Sequence, residues 1–133
     1  APMIRFSDRD FRSFIRILSK RCVVWTEMMA DSTVVYWNPE RRDRLLQLPK
    51  DGGGVIAQIG SNEIETATKA CKILKAYGYK EINLNCGCPS DKVAKKHDFG
   101  AALMKRPMEM ARVIQAMHDA VQDEGNSVAD GVD

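Results

Sequence analysis

The run Glu81-Ile82-Asn83-Leu84-Asn85-Cys86-Gly87-Cys88-Pro89-Ser90 holds the residues best suited to chemistry in this chain. Two carboxamides alternate with aliphatic side chains, and the run then breaks at Gly-Cys-Pro. On a strand, alternation puts Ile82 and Leu84 on one face and Glu81, Asn83 and Asn85 on the other. Carboxamides on the inner face of a strand are costly unless something there uses their hydrogen bonds. Gly87 and Pro89 favour a sharp, rigid loop that keeps the Cys88 thiol off any helix. Such a thiol can act as a general acid or a nucleophile; the alternative is a small buried hydrophobe, the commoner fate of a free cysteine. Free cysteine is mostly thiol at neutral pH, so proton donation from a loop of this kind needs no special tuning.

Other side chains extend the candidate site. Asn85 and Gln58 both donate and accept, so together they can read the edge of a flat heterocycle; otherwise they cap a strand end or a loop. Cys86 with Cys88 is not a usual zinc spacing, and Cys22, Cys71, His97 and His118 are scattered, so no metal is expected. Cys71 on an apolar helix stripe and Cys22 ahead of a strand are expected to pack. Gly52-Gly53-Gly54 precedes a strand and lacks a Gly-Lys-Ser/Thr ending, which makes it a turn and not a phosphate loop. Lys92, Lys95, Lys96, Lys105 and Arg106 flank the Cys88 loop, with Asp91 and Asp98 opposing. That segment, Lys92 above all, is placed to meet phosphates; a solvated loop surface is the equal alternative.

The elements that must position these groups alternate. Ser7 or Asp8 caps a first helix with Phe11, Phe14, Ile15 and Leu18 as one apolar stripe and Arg9, Arg12, Arg16 and Lys20 off it. Val23 to Met28 reads as a strand with Glu27 at its end. Pro39 can start a short helix through Leu46, and Pro49 to Gly54 is a turn or loop. Val55 to Ile59 is a clear strand, with Ile56 and Gln58 on one face. A helix capped by Ser61 or Asn62 follows, with Ile64, Ala67, Cys71 and Leu74 buried and Gly78 closing it. Pro107 suits the first turn of a last helix that turns Met110, Val113, Ile114, Met117 and Val121 inward. Strand-helix alternation of this kind is the signature of a parallel α/β sheet, whose sites gather at the C-terminal strand ends. Met3, Glu27, Gln58 and Asn85 are all expected at that rim.

A chain of 133 residues with 44 % apolar content holds at most one domain. A net charge of +2 neither demands nor excludes a polyanionic partner. No membrane-spanning run or secretory pattern is present, and four cysteines without framework spacing suggest a reducing compartment. Ala1-Pro2-Met3 opens the chain as though cut just after or within a strand. Residues 122–133 are acidic and poor in large apolar groups, and are expected to form a disordered tail after a domain spanning 1–121. The whole reads as a piece of something longer.

At this point the motifs resemble a known family. Ala1-Pro2-Met3 with Ser7-Asp8-Arg9 and Phe11-Arg12, then Thr26-Glu27-Met28 and Gln58-Ile59-Gly60, are similar to segments of the tRNA-dihydrouridine synthases. So are Asn83 through Val93, with its specific Asn-x-Gly-Cys-Pro core, and Phe99-Gly100-Ala101-Ala102-Leu103-Met104. The Ser-Asp-Arg opening and Trp25-Thr26-Glu27-Met28-Met29 are most like the A-type branch, which acts on D-loop uridines of tRNA. The resemblance implies an FMN-binding TIM (β/α)8 barrel followed by a small helical domain that helps to hold tRNA. It implies that NADPH reduces the flavin and that the target uridine is flipped out of the RNA. Hydride then passes from flavin N5 to uracil C6, and a loop cysteine protonates C5.

Carried over by position, Cys88 is that acid. Pro2 and Met3 touch the flavin ring through backbone, Gln58 contacts the flavin, and Asn85 contacts the uracil or flavin edge. Glu27 receives no role. The late strands that grip the FMN phosphate, and the helical RNA-binding domain, have no counterpart here, so the N-terminal portion, about half of a barrel, is expected. Cys86 stands where the family usually has an aliphatic residue. The expected function is reduction of uridine to 5,6-dihydrouridine in tRNA, with turnover by this chain alone in doubt. The alternatives are another FMN-barrel oxidoreductase acting on a free pyrimidine or enone, and a non-catalytic remnant that binds RNA or a partner. The expected compartment is the cytoplasm, with an organelle as the alternative.

Overall fold

The computed structural model describes residues 2–48 and 54–122. Its β-branched and apolar runs form three strands, β1 (Val24–Ala30), β2 (Val55–Gly60) and β3 (Ile82–Leu84). They pair in parallel in the order β1-β2-β3, so each connection is a crossover that must carry helix. The first crossover holds α2 (Asp31–Tyr36) and α3 (Pro39–Leu46), and the second holds α4 (Ile64–Ala76). Helix α1 (Arg9–Leu18) precedes the sheet, and α5 (Pro107–Gln122) follows it. One face of the sheet, with Val24, Met29, Val55, Ala57 and Ile59, packs on Leu46, Cys71, Leu74, Val113 and Met117 in the main core. Burial pushes the Cys71 thiol up to about 12, which fits a packing side chain.

Helix ends follow local chemistry. Asp8 caps α1 by accepting the Phe11 N–H at 2.9 Å, and Asn38 caps α3, which opens on Pro39. After α4, the Gly78 N–H donates to the Lys75 carbonyl at 2.9 Å and the Tyr79 N–H to the Leu74 carbonyl at 3.1 Å. That paired closure needs a left-handed residue, and Gly78 has φ +94. At the other end of α4 no side chain caps it directly; Ser61 accepts the Glu63 N–H instead.

Several expectations change. Residues 2–7 form a turn and not a strand stub, so the described sheet has three strands. Strand β1 runs on past Met28, which puts Glu27 inside it, and Gln58 is likewise within β2. Helix α2 had no periodic signal, being a six-residue helix without a side-chain cap. The α1 stripe forms but Phe11, Phe14 and Leu18 stay exposed, while Arg12 is 7 % exposed. Helix α1 turns Arg12 inward because its guanidinium donates to the Ser7 carbonyl at 2.8 Å. Cys22 is exposed, not packed, since it borders a cavity between α1 and the start of β1. Ile64 and Ile114 are exposed too, with Thr66 and Ala120 taking buried positions on their helices. The expected loop between β3 and α5 contains a π-type turn (Lys92–Lys96) and a 3-10 helix (Gly100–Lys105). The turn expected at residues 49–53 and the tail after 122 lie outside the described residues.

Two contacts at the strand ends are set by single residues. A Cβ on Gly60 would sit 2.4 Å from Phe99 Cε2, so only glycine lets that ring lie across the end of β2. Asp31, just past β1, is buried, and its carboxylate accepts from Ser61 Oγ at 2.5 Å and from the Ser32 N–H at 2.6 Å. Burial raises the Asp31 carboxyl above its ordinary range against the effect of those bonds.

Gly60→Ala is expected to destabilise the fold by about 1–3 kcal/mol through overpacking, measured by urea unfolding; an unchanged midpoint would show Phe99 free to move. For Asp31 the folded state keeps its proton to higher pH than the unfolded state does. Stability should therefore fall as pH rises from the ordinary carboxylate range through the raised value. Asp31→Asn should flatten that part of a stability-against-pH curve.

Candidate active site

Three carboxamide side chains at the sheet's end form one directed chain of hydrogen bonds. Asn85 Oδ1 accepts the Gly87 N–H at 3.1 Å and the Cys88 N–H at 2.9 Å. Because both partners are backbone donors, that oxygen must face them, and Nδ2 is left to donate. It does so to Gln58 Oε1 at 2.9 Å, and Gln58 Nε2 then donates to Asn83 Oδ1 at 3.0 Å. The register explains the reach: Gln58 stands opposite Asn83 across the β2–β3 ladder, and the Asn85 N–H continues that ladder to the Ile59 carbonyl at 2.8 Å. At its other edge the Gln58 N–H donates to Thr26 Oγ1 at 2.9 Å.

Cys88 is held from two sides. Its N–H meets Asn85, and its carbonyl accepts the Ala101 N–H at 3.0 Å. Gly100, at φ +65, permits this approach, since a Cβ there would lie 2.8 Å from the Cys88 carbonyl oxygen. Beneath the loop, Val93, Phe99 and Leu103 form a small second core against which Cys86 and Cys88 pack in part. Burial raises the Cys86 thiol, which is consistent with an apolar filler. The Cys88 side chain is half-buried and so remains reachable.

Beside this network lies a cavity of ≈ 620 Å³ walled by Pro2, Ser7, Phe11, Arg12, Ile15, Trp25, Gln58 and Asn83, among others. Its walls are mainly apolar with a few convergent polar groups, the usual make-up of a ligand site. Pro2, Gln58 and, through Gln58, Asn85 thus come together. Met3, Asn85 and Cys88 do not line the cavity; Met3 is exposed, and the Cys88 loop is joined to the cavity wall through the Asn85–Gln58 bond. Lys92 is exposed. Of its basic neighbours, Lys95 pairs with Asp91 at 3.0 Å, and Arg106 pairs with Asp98 and Glu109. Among the described residues, no three His, Cys, Asp or Glu side chains gather as a metal site, and no helix is long and apolar enough to cross a membrane.

The model of the dihydrouridine synthase family (Dus) matches residues 1–128. The chain belongs to that family. Curated relatives named tRNA-dihydrouridine(20/20a) synthase match most of the chain. The Synechocystis protein is 37 % identical over 122 residues, 92 % of this chain and 35 % of its own length. The Xylella fastidiosa strain 9a5c protein is 41 % identical over 117 residues, 88 % of this chain and 33 % of its own. The Escherichia coli K12 protein is 35 % identical over 121 residues, 91 % and 34 % respectively. The chain therefore spans about a third of the length of these dihydrouridine synthases.

The roles of Thr26, Ser7 and Arg12 around the site had no sequence signal beyond their place in family-like segments. Thr26 reads simply as a β-branched strand residue, and Arg12 as one of several cations on α1. Asn85→Ala should free the Gly87 and Cys88 amides and strand the Gln58 carbonyl, costing about 1–3 kcal/mol. The check is faster amide exchange at Cys88 together with a lower unfolding midpoint.

Proposed function

We propose that this chain carries the nucleobase end of a flavin-dependent active site that reduces uridine in tRNA to 5,6-dihydrouridine. The observation that supports it best is the amide chain Asn83–Gln58–Asn85 ending on the backbone of Cys88. It joins a row of donors and acceptors to the backbone that carries the thiol through one side chain. A flat, hydrogen-bonding ring beside a proton donor is what the reaction requires. Membership of the dihydrouridine synthase family, and relatives named for tRNA dihydrouridine formation, point the same way.

The described residues suit the ring portion of FMN. The cavity offers apolar walls at Pro2 and Trp25 and amides at Gln58 and Asn83. Pro2, Met3 and Gln58 would hold the ring, and Asn85 would face the edge of uracil or flavin. FMN, when bound, supplies hydride chemistry replenished from NADPH. Cys88 Sγ would be the proton donor to the uracil C5 position, and Asn85 fixes how far that loop can stray. Lys92, exposed beside the loop, would meet RNA phosphate. The described α/β unit is read as about half of a TIM barrel. On that reading the exposed α1 stripe and the open edge of β1 are surfaces the rest of a barrel would cover.

The test uses the longest product of the gene beside the 133-residue chain. Cys88→Ala in the longer protein should retain FMN absorbance while dihydrouridine formation in tRNA drops at least about 100-fold. Unchanged product formation counts against the acid role. The shorter chain is expected to release FMN on gel filtration, and stoichiometric retention would refute its incompleteness.

A further inference from the structure

Glu27 is unused by the reading above, yet the backbone is bent to present it. The β1–β2 register slips between Trp25 and Met28. At the slip Thr26 Oγ1 accepts the Gln58 N–H at 2.9 Å and donates to the Glu27 carbonyl at 2.8 Å. A side chain thus fills the ladder position that the backbone leaves open, and a bulge of this kind re-aims the residue beside it. The Glu27 carboxylate accepts the Arg5 N–H, 22 residues earlier in the chain. Arg5 has φ +70, a left-handed conformation uncommon outside glycine that persists only where its surroundings fix it.

The loop so tied is otherwise closed on itself. Ser7 Oγ accepts the Met3 N–H at 2.7 Å and donates to the Met3 carbonyl at 2.9 Å. That carbonyl also accepts the Phe6 and Ser7 N–H groups, at 3.1 and 2.9 Å. From α1, Arg12 Nη1 donates to the Ser7 carbonyl at 2.8 Å. A loop closed internally can still swing as a body. Arg12 ties it to the helix, and Glu27 ties it to the sheet.

We propose that Glu27 is a positioning residue that clamps the Pro2–Ser7 turn to β1, fixing the Pro2–Met3 backbone relative to Gln58. Its purpose, presenting that backbone to a flavin ring, rests on the function proposed above; the clamp itself does not. Since Thr26 binds Gln58 and sets the bulge, one strand irregularity locates both Gln58 and the turn. The carboxylate acts as a hydrogen-bond acceptor, not as a charge aimed at substrate.

The experiment compares wild type, Glu27→Gln, Glu27→Ala and Thr26→Val in the longest product of the gene. Amide exchange is read at Arg5, with α4 amides as an internal control, and FMN affinity by fluorescence quenching. Glu27→Ala should speed Arg5 exchange and weaken FMN binding by about tenfold each, with α4 unchanged. Glu27→Gln, which keeps an acceptor oxygen, should restore both to within about threefold. Thr26→Val should shift both in the direction of Glu27→Ala. Unchanged Arg5 exchange in Glu27→Ala overturns the clamp, and a glutamine variant as impaired as alanine overturns the acceptor role. Faster exchange with undiminished FMN affinity overturns the link to the flavin. A wild-type protein that takes up no FMN speaks against the flavin reading, and exchange alone then decides the clamp.

Discussion

Two backbone N–H groups, those of Gly87 and Cys88, fix the polarity of everything at this sheet's end. They require an oxygen from Asn85, which forces its nitrogen towards Gln58, whose own nitrogen must then face Asn83. Each carboxamide could be reversed in isolation, but none can be reversed alone once the chain is anchored. A sharp turn at Gly-Cys-Pro thereby orders two neighbouring strands, and the strands in turn keep the turn from drifting. This is how a surface loop can hold a half-buried thiol in one place without burying it.

The surrounding fold supplies rigidity from opposite directions. On one face, the aliphatic side chains of β1 and β2 pack against α4 and α5. At the strand ends, Gly60 lets Phe99 close over β2, and the ring's small cluster supports the underside of the cysteine loop. Asp31 and Ser61 link the starts of α2 and α4 through a buried bond whose carboxyl is held away from solvent. A buried guanidinium on α1 is a costlier choice, offset in part by the Ser7 carbonyl that it holds.

Much of this was legible in the sequence because its signals are periodic or stereochemical. Alternation assigned the faces of β3 correctly, and Gly78 and Pro107 marked helix ends through a backbone preference that no neighbour overrides. The parallel α/β class followed from strand-helix alternation, whereas the sequence set Gln58 and Asn85 side by side as readers of a ring and gave no sign that they bond to each other. What escaped depends on distance between segments remote in sequence. The bulge at Thr26 exists because its hydroxyl meets a partner 32 positions away. Helix α1 buries one arginine and packs Ile15 on the core while three of its four stripe residues, Phe11, Phe14 and Leu18, are exposed. Cys22 looked like a packing residue because it precedes a strand, but it borders the cavity between α1 and the start of β1 and stays exposed.

Asn83 stands at the terminus of the amide chain with its oxygen already accepting one bond. One lone pair of that oxygen and both amide hydrogens remain on a side chain that borders the cavity. A heteroaromatic edge meeting that position can bring either a lone pair for the nitrogen or a donor for the oxygen. The side chain by itself therefore selects no one edge, and the choice falls to whatever else borders the cavity.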